Sequence, residues 1–279
     1  MDRRRAVTGT AIAAVMLFGA VGAAQAQGAF GELEYVSKFE ALSVNDRDSV
    51  KRGCPPGTHV LGGGQYLFSG FQTAVLTASA PFDGGDAGKQ PDDGWKTTVD
   101  GQDGFANELT VYAICSSRQP KYVQRSVRMR EEDSRAAHSV CPTNTRVLGG
   151  GARLPGPYRS PFVHDSAPFE DDEWEVAAFT FEPGTMVMSA ICARTKTDIV
   201  SDSGIAPGQS FGEAFPACDE GEPVVGGGFS GRDIGLTGTI SAPFDGLDGD
   251  STPDDGWQVE MDNDEGTNRT VFGRAVCLR

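Results

Sequence analysis

Cys54-Pro55-Pro56-Gly57-Thr58-His59-Val60-Leu61-Gly62-Gly63-Gly64 decides the fold, because its framework returns twice further down the chain. Cys141 and Cys218 are each followed, at the same offset, by a glycine triplet starting at Gly149 and Gly226. Each copy then continues through a Ser-Ala-Pro-Phe block (Ser79, Ser166, Ser241), a tryptophan (Trp95, Trp174, Trp257) and a closing cysteine (Cys115, Cys192, Cys277). Upstream, Tyr35-Val36, Tyr122-Val123 and Ile199-Val200 stand at one constant distance before the first cysteine. The chain therefore reads as three homologous β repeats, 35–115, 122–192 and 199–279. Connectors of only a few residues separate them, which holds neighbours in contact and favours a compact threefold array.

Glycine and proline make up nearly a fifth of the 279 residues (37 and 16), and after residue 26 no apolar positions keep helical spacing for three turns. All-β is the class that follows. The clearest strand is Leu109 to Cys115, with both faces apolar. Others are expected around Tyr35, around Val60-Leu61, at 73–78 and at 95–99, about five per unit. A hairpin after each glycine triplet is marked by Ser69-Gly70, Pro155-Gly156-Pro157 and Ser230-Gly231. Five strands in roughly 70 to 80 residues bury little alone, so a joint, β-prism-like assembly with pseudo-threefold symmetry is expected, with three serial small β-sandwiches as the alternative.

Residues 1–26 combine Arg3-Arg4-Arg5, an apolar run from Ala11 to Ala24 and a small-residue end, Ala24-Gln25-Ala26, the pattern of a cleaved signal peptide. Residues 27–34 then read as a loose leader. No later stretch is long and apolar enough to insert in a membrane as a helix. Removing 1–26 lowers the basic count from 24 to 21 and the acidic count from 39 to 38, moving the net charge from -15 to -17. Such a surface is a poor partner for nucleic acid. Six cysteines at two repeating landmarks fit an oxidising compartment, extracellular or periplasmic, better than a metal site. The repeat makes Cys54–Cys115, Cys141–Cys192 and Cys218–Cys277 the economical pairing, each bridge contributing roughly 4 kcal/mol on the chain-entropy model.

With the Cys-Pro-x-Gly start, the glycine triplet and the Val111-Tyr112-Ala113-Ile114-Cys115 ending in view, the chain resembles a broad set of exported bacterial repeat proteins, uncharacterised in function. More distantly it is similar to vitelline membrane outer layer protein, whose threefold β-prism also uses Cys-Pro-x-Gly starts. That likeness implies a prism architecture and hints at a wall- or glycan-associated role. Only the first two copies keep Cys-Pro, since Asp219 follows Cys218.

Four groups of residues are candidates for function. Trp95, Trp174 and Trp257 are either core or three rings offered to a sugar; Phe82, Phe169 and Phe244 are expected beside them. Asp83, Asp86, Asp245, Asp248 and Asp250 lie in acidic loops that are either solvated turns or calcium ligands. The glycine triplets lack the lysine and following helix of a phosphate cradle. Arg118, Lys121, Arg125, Arg128, Arg130 and Arg135 gather at the start of the second unit, either pairing internally or serving self-association or an acidic polymer. Catalysis has little to stand on. Only three histidines occur and none recurs, and in His164-Asp165-Ser166 adjacent side chains on an extended chain point to opposite faces. The expectation is an exported, non-enzymatic binding or structural protein, lectin-like toward a glycan or cell-surface polymer, with no cofactor unless calcium. A self-associating coat protein and a secreted hydrolase are the alternatives.

Overall fold

The computed structural model describes residues 30–43, 46–68, 74–85, 88–101, 107–154, 161–232, 234–246 and 250–279. Residues 1–26, expected to be a signal peptide, residues 27–29 of the expected leader, Asp86, Asp248, Ser69-Gly70 and Pro155-Gly156-Pro157 lie outside them.

Unit 1 contributes β1 (Leu33–Ala41), β2 (Arg47–Gly53), β3 (His59–Phe68), β4 (Ala74–Phe82), β5 (Gly94–Gly101) and β6 (Glu108–Ser116). Unit 2 contributes β7 (Lys121–Met129), β8 (Asp133–Val140), β9 (Arg146–Arg153), β10 (Phe162–Glu170), β11 (Glu173–Thr180) and β12 (Gly184–Ala193). Unit 3 contributes β13 (Thr197–Ala206), β14 (Ser210–Ala214), β15 (Val224–Ser230), β16 (Leu236–Phe244), β17 (Gly256–Asn263) and β18 (Arg269–Leu278). The described residues contain no helix. Each unit thus has six strands where five were expected. The strand missed is the short, polar one before the first cysteine, such as Arg47-Asp48-Ser49-Val50-Lys51-Arg52-Gly53.

The strands form three antiparallel six-stranded sheets, each shared by two units. Sheet I runs β1-β6-β3-β16-β17-β14, sheet II runs β2-β5-β4-β9-β12-β7, and sheet III runs β13-β18-β15-β10-β11-β8. Every unit therefore splits into two half-sheets, and the partition runs in a ring: unit 1 joins unit 3 and unit 2, and they join each other. This is the joint threefold arrangement; serial sandwiches would have kept each unit's strands together. It also corrects the hairpin reading, because the segment after each glycine strand crosses from one sheet to the next. The outermost strands meet in pairs at the prism edges, β1 with β2, β7 with β8 and β13 with β14, so sheet rims are covered by neighbouring chain.

Within each half-sheet, inward residues such as Leu109, Val111, Met186, Met188, Val259, Met261 and Val271 fill one continuous core with the three tryptophans. A second, smaller cluster caps one end. It is built from Leu61, Leu148 and Val225, the residues before the three glycine triplets, with Phe30, Val276 and Leu278 around them. The ladder skips Leu61, Leu148 and Val225 in turn; each is the extra residue of a β-bulge, which turns it from its strand's ordinary alternation toward the axis. Phe30 is only 2 % exposed and its carbonyl accepts from the Ser116 hydroxyl at 2.7 Å, so this end of the leader is tied down, contrary to the loose reading.

The bridges are Cys54–Cys115, Cys141–Cys192 and Cys218–Cys277, with Cα–Cα distances of 5.8, 5.7 and 5.6 Å, within the ordinary range for the bond. Each closes its own unit. Between units, two tyrosines add side-chain hydrogen bonds to the paired strands of the shared sheets. The Tyr35 phenol donates to the Val224 carbonyl of unit 3 at 2.7 Å and the Tyr122 phenol to the Val60 carbonyl of unit 1 at 2.8 Å; Ile199 at the third position has no hydroxyl to donate. Burial raises both phenols well above the ordinary value, helped by Asp254 and Asp255 near Tyr35 and by Asp92 and Asp93 near Tyr122. In the folded state they keep their protons where an unfolded tyrosine loses its own, near pH 10. Their contribution is therefore complete below pH 10 and shrinks above it, by roughly 1.4 kcal/mol per pH unit for each phenol. Tyr35→Phe and Tyr122→Phe are each expected to cost about 1 kcal/mol at pH 7. In the double variant, urea unfolding at pH 7 and pH 11 should show a shallower alkaline loss than in the parent; equal losses would refute the phenol account. Lys96, whose pKa burial and neighbouring cations lower, acts in the opposite sense but is common to both proteins.

Candidate functional site

The tryptophans are core. Trp95, Trp174 and Trp257 are 1 %, 1 % and 0 % exposed, and their indole N–H groups donate to the hydroxyls of Ser79, Ser166 and Ser241 at 2.8, 3.1 and 2.9 Å. The serine of each Ser-Ala-Pro-Phe block is thus the acceptor for its own unit's indole, a partnership visible in the sequence as co-recurrence. No ring is available to a sugar, which overturns the ligand-face alternative. The phenylalanines of these blocks sit on the opposite, outward side: Phe82 under the Lys51 ammonium (5.1 Å to the ring centre), Phe169 edge-on to His138, and Phe244 edge-on to Phe215.

The glycine triplets are structural as well, and each position has its own reason. A Cβ on the first glycine would meet the next unit at the axis: Gly62 against the Val225 carbonyl oxygen at 2.2 Å, Gly149 against that of Leu61 at 2.6 Å, Gly226 against that of Leu148 at 2.3 Å. A Cβ on the second would strike the tryptophan ring, at 2.6 Å for Gly63, 2.4 Å for Gly150 and 2.3 Å for Gly227. The third lies at the seam between units, where Gly64, Gly151 and Gly228 face the carbonyl oxygens of Ser241, Ser79 and Ser166. The triplet is mid-strand backbone pressed on backbone, with no room to wrap an anion.

The acidic loops act through their backbone. The Asp92 and Asp93 carbonyls accept from Val60 and Cys54 at 3.0 and 2.8 Å; Asp171 and Asp172 do the same for Val147 and Cys141, and Asp254 and Asp255 for Val224 and Cys218. The Asp93 and Asp255 carboxylates accept from the amides of Gly84 and Gly246. Asp83 accepts from the Gly85 amide at 3.3 Å and Asp250 from that of Thr252 at 2.6 Å. This is turn chemistry, and it holds the start of each glycine strand against the tryptophan strand. Among the described residues no three acidic, histidine or cysteine groups converge as metal ligands.

His164 and Asp165 depart from the sequence reading. The β10–β11 ladder skips His164, and the bulge brings its Nδ1 to 3.2 Å from the Asp165 carboxylate, with the Ser134 hydroxyl 3.4 Å from its Nε2. Ser166 takes no part, because it faces inward to Trp174. The trio does not make a catalytic relay: Nδ1 is buried without a hydrogen-bond partner, so the carboxylate is near but off line, and that bond is what orients the base of a working triad. Thr77 and Thr239 occupy the same bulge in units 1 and 3, are also buried, and turn their hydroxyls to the carbonyls of Thr98 and Glu260. His164 is the variant of a structural position.

A cavity lies at the capped end, where the connector between units 1 and 2 passes the end of β12. It has a volume of about 360 Å³, at the small end of ligand sites. Phe30, Pro120, Ala193 and the Cys192 half-cystine wall it, Arg118, Lys121 and Arg194 line it, and no carboxylate does. The Arg118 guanidinium lies 6.0 Å from the centre of the Phe30 ring. Lys121 and Arg194 form no ion pair among the described residues.

No family model and no curated protein matches the chain.

Of the basic cluster singled out in the sequence, Arg118 and Lys121 meet in this cavity, while Arg125 donates to the His138 carbonyl at 2.9 Å and Arg135 pairs with Asp133 at 2.8 Å. Arg194 and Phe30 were not foreseen. They come from the segment after β12 and from the leader: Cys192 pairs with Lys121, which brings Arg194 alongside, and Phe30 is tied to Ser116 just before the connector.

Proposed function

We propose that the protein is a non-catalytic binding protein of the cell exterior that takes a small anionic ligand in the cavity at the capped end. The observation that carries this is the lining: three cations, apolar walls and no carboxylate, in a chain of net charge -15. Three disulfides suit an oxidising, extracellular or periplasmic setting. A cation cluster on an acidic protein focuses field locally and gives an anion one attractive place to settle, and charge-assisted hydrogen bonds from Arg and Lys are the strong kind. The walls leave room for a body of about one or two sugar rings.

Calorimetric titration with galacturonate, and with glucose as the neutral control, tests this. Galacturonate is expected to bind with a Kd of about 1 mM or tighter, weakening about tenfold in Lys121→Ala/Arg194→Ala through lost charge-assisted contacts. Equal binding of glucose, or an unchanged Kd in the variant, would remove the cavity from consideration.

A further inference from the structure

The three sheets share one frame but present different chemistry on their outer faces. At one equivalent set of positions, sheet I carries Gln258 and Tyr66, with Phe215 just past the end of β14, sheet III carries His138, Glu175 and the buried Ser230, and sheet II carries Lys51, Lys96 and Arg153. In sheet II, Lys51 and Lys96 stand directly opposite each other on β2 and β5. Lys96 pairs onward with Ala80, and Arg153 with Ala78, in the neighbouring row. Like charges directly opposite across an antiparallel pair are destabilising, and none of the three forms an ion pair among the described residues. Lys51 rests over Phe82. The fourth cation of the group, Arg47, is occupied structurally, donating to the Thr77 hydroxyl and the Leu154 carbonyl at 3.1 and 2.9 Å, and it faces Asp100 across the ladder. Burial, and then repulsion from Lys51, Arg153 and Arg47, lowers the proton affinity of Lys96, which shows that the four cations share one neighbourhood.

The same face carries hydroxyl and amide groups between the cations: Ser49 and Thr98, bonded to each other at 2.8 Å, and Gln124, whose amide donates to Ser189 at 3.4 Å. Its two aromatic side chains are committed, Phe82 under Lys51 and Tyr122 through its phenol to Val60. The face is therefore unsuited to stacking nucleobases. The cavity lies past the end of this face and not on it: Lys121 pairs with Cys192 at the start of β7, and strand alternation puts that row on the opposite side of the sheet from Gln124. From β7 to β2 the face spans five strand spacings, roughly 24 Å, far more than the cavity's one or two sugar rings.

We propose that the outer face of sheet II is the docking surface for an acidic polysaccharide, with Arg153, Lys96 and Lys51 meeting successive charges of the chain. The anion reading of the cavity is a separate matter. The cations and hydroxyls of the face stand independently of it.

Binding of a polyuronate of about ten residues, monouronate, a neutral glucan of the same length and oligothymidylate of matched charge, each to the oxidised protein at low and physiological salt, tests the assignment. The polyuronate is expected to bind at least about tenfold tighter than monouronate, since linked contacts add by effective concentration, and to weaken as salt screens the exposed cations. Lys51→Ala/Lys96→Ala/Arg153→Ala should remove that gain and leave monouronate binding intact, whereas Lys121→Ala/Arg194→Ala should weaken monouronate binding and leave the gain of the polyuronate in place. Polyuronate binding that depends on the face while monouronate fails to bind would retain this inference and sink the cavity reading. An unchanged polyuronate affinity in the triple variant, or oligothymidylate binding as well as the polyuronate, would overturn the inference.

Discussion

Alanine in place of Gly64 is expected to lower stability by about 3 kcal/mol or more, the upper end of overpacking costs, and the Tm by roughly 10 °C for a domain of this size. The added Cβ would stand within van der Waals radii of both the Ser241 carbonyl oxygen and its carbon. These are backbone atoms of β16 at the seam where units 1 and 3 pair through only Ile240–Tyr66 and Ser241–Gln65. A side chain could rotate away; a strand held on its other side by β17 cannot. Gly151→Ala and Gly228→Ala should behave alike at the other two seams. Gly266→Ala is the control, because its Cβ would meet nothing within 4 Å and its backbone is not left-handed. It is expected to be neutral or slightly stabilising. Thermal melts of the four variants decide the matter, and a seam variant that melts with the control would show that the seam yields.

Truncation of Trp174 to alanine is the second large effect, about 4 kcal/mol. Its ring closes the core and rests on Gly150, so its loss leaves a void that flanking strands cannot fill without abandoning their register. Ser166→Ala keeps the ring but strips the indole N–H of its acceptor at a fully buried position. That should cost about 1 to 3 kcal/mol, the penalty of an unsatisfied buried donor. Trp174→Phe removes donor and demand together and is expected to fall between wild type and Trp174→Ala. Denaturant unfolding orders the three. A Ser166→Ala variant as stable as the parent would mean that the indole finds another acceptor.

Much of this architecture was legible because the chain states it three times. Recurrence of the cysteines, the glycine triplet and the tryptophan carried the disulfide pairing and the joint threefold assembly, and low helical periodicity carried the all-β class. What recurrence cannot carry is which sheet a strand joins. The crossover after each triplet looks locally like a hairpin, since both need a break in the same place. The sixth strand escaped because β2, β8 and β14 are prism-edge strands whose composition follows solvent more than a core. The bulges hid the inward turn of Leu61 and the His164–Asp165 approach, because one unpaired residue reverses the alternation on which facing arguments rest. The candidate surfaces were the least legible. Lys51, Lys96 and Arg153 lie far apart in sequence and in two units, and nothing local says that they share a face.

The cyclic division of each unit between two sheets has a consequence for how such a molecule can be shortened or first arise. Unit 3 takes part in two of the three seams, β3–β16 and β10–β15. A chain of two units would keep one full-width sheet and leave two half-sheets, each with a bare rim at β3 or β10, whose missing neighbour any further copy could supply. Such an interface is heterologous, and unless the rotation closes it propagates without limit. Closure at three satisfies every rim at once, so one copy assembling with two others and three copies on one chain are both complete, and a tandem pair alone is not.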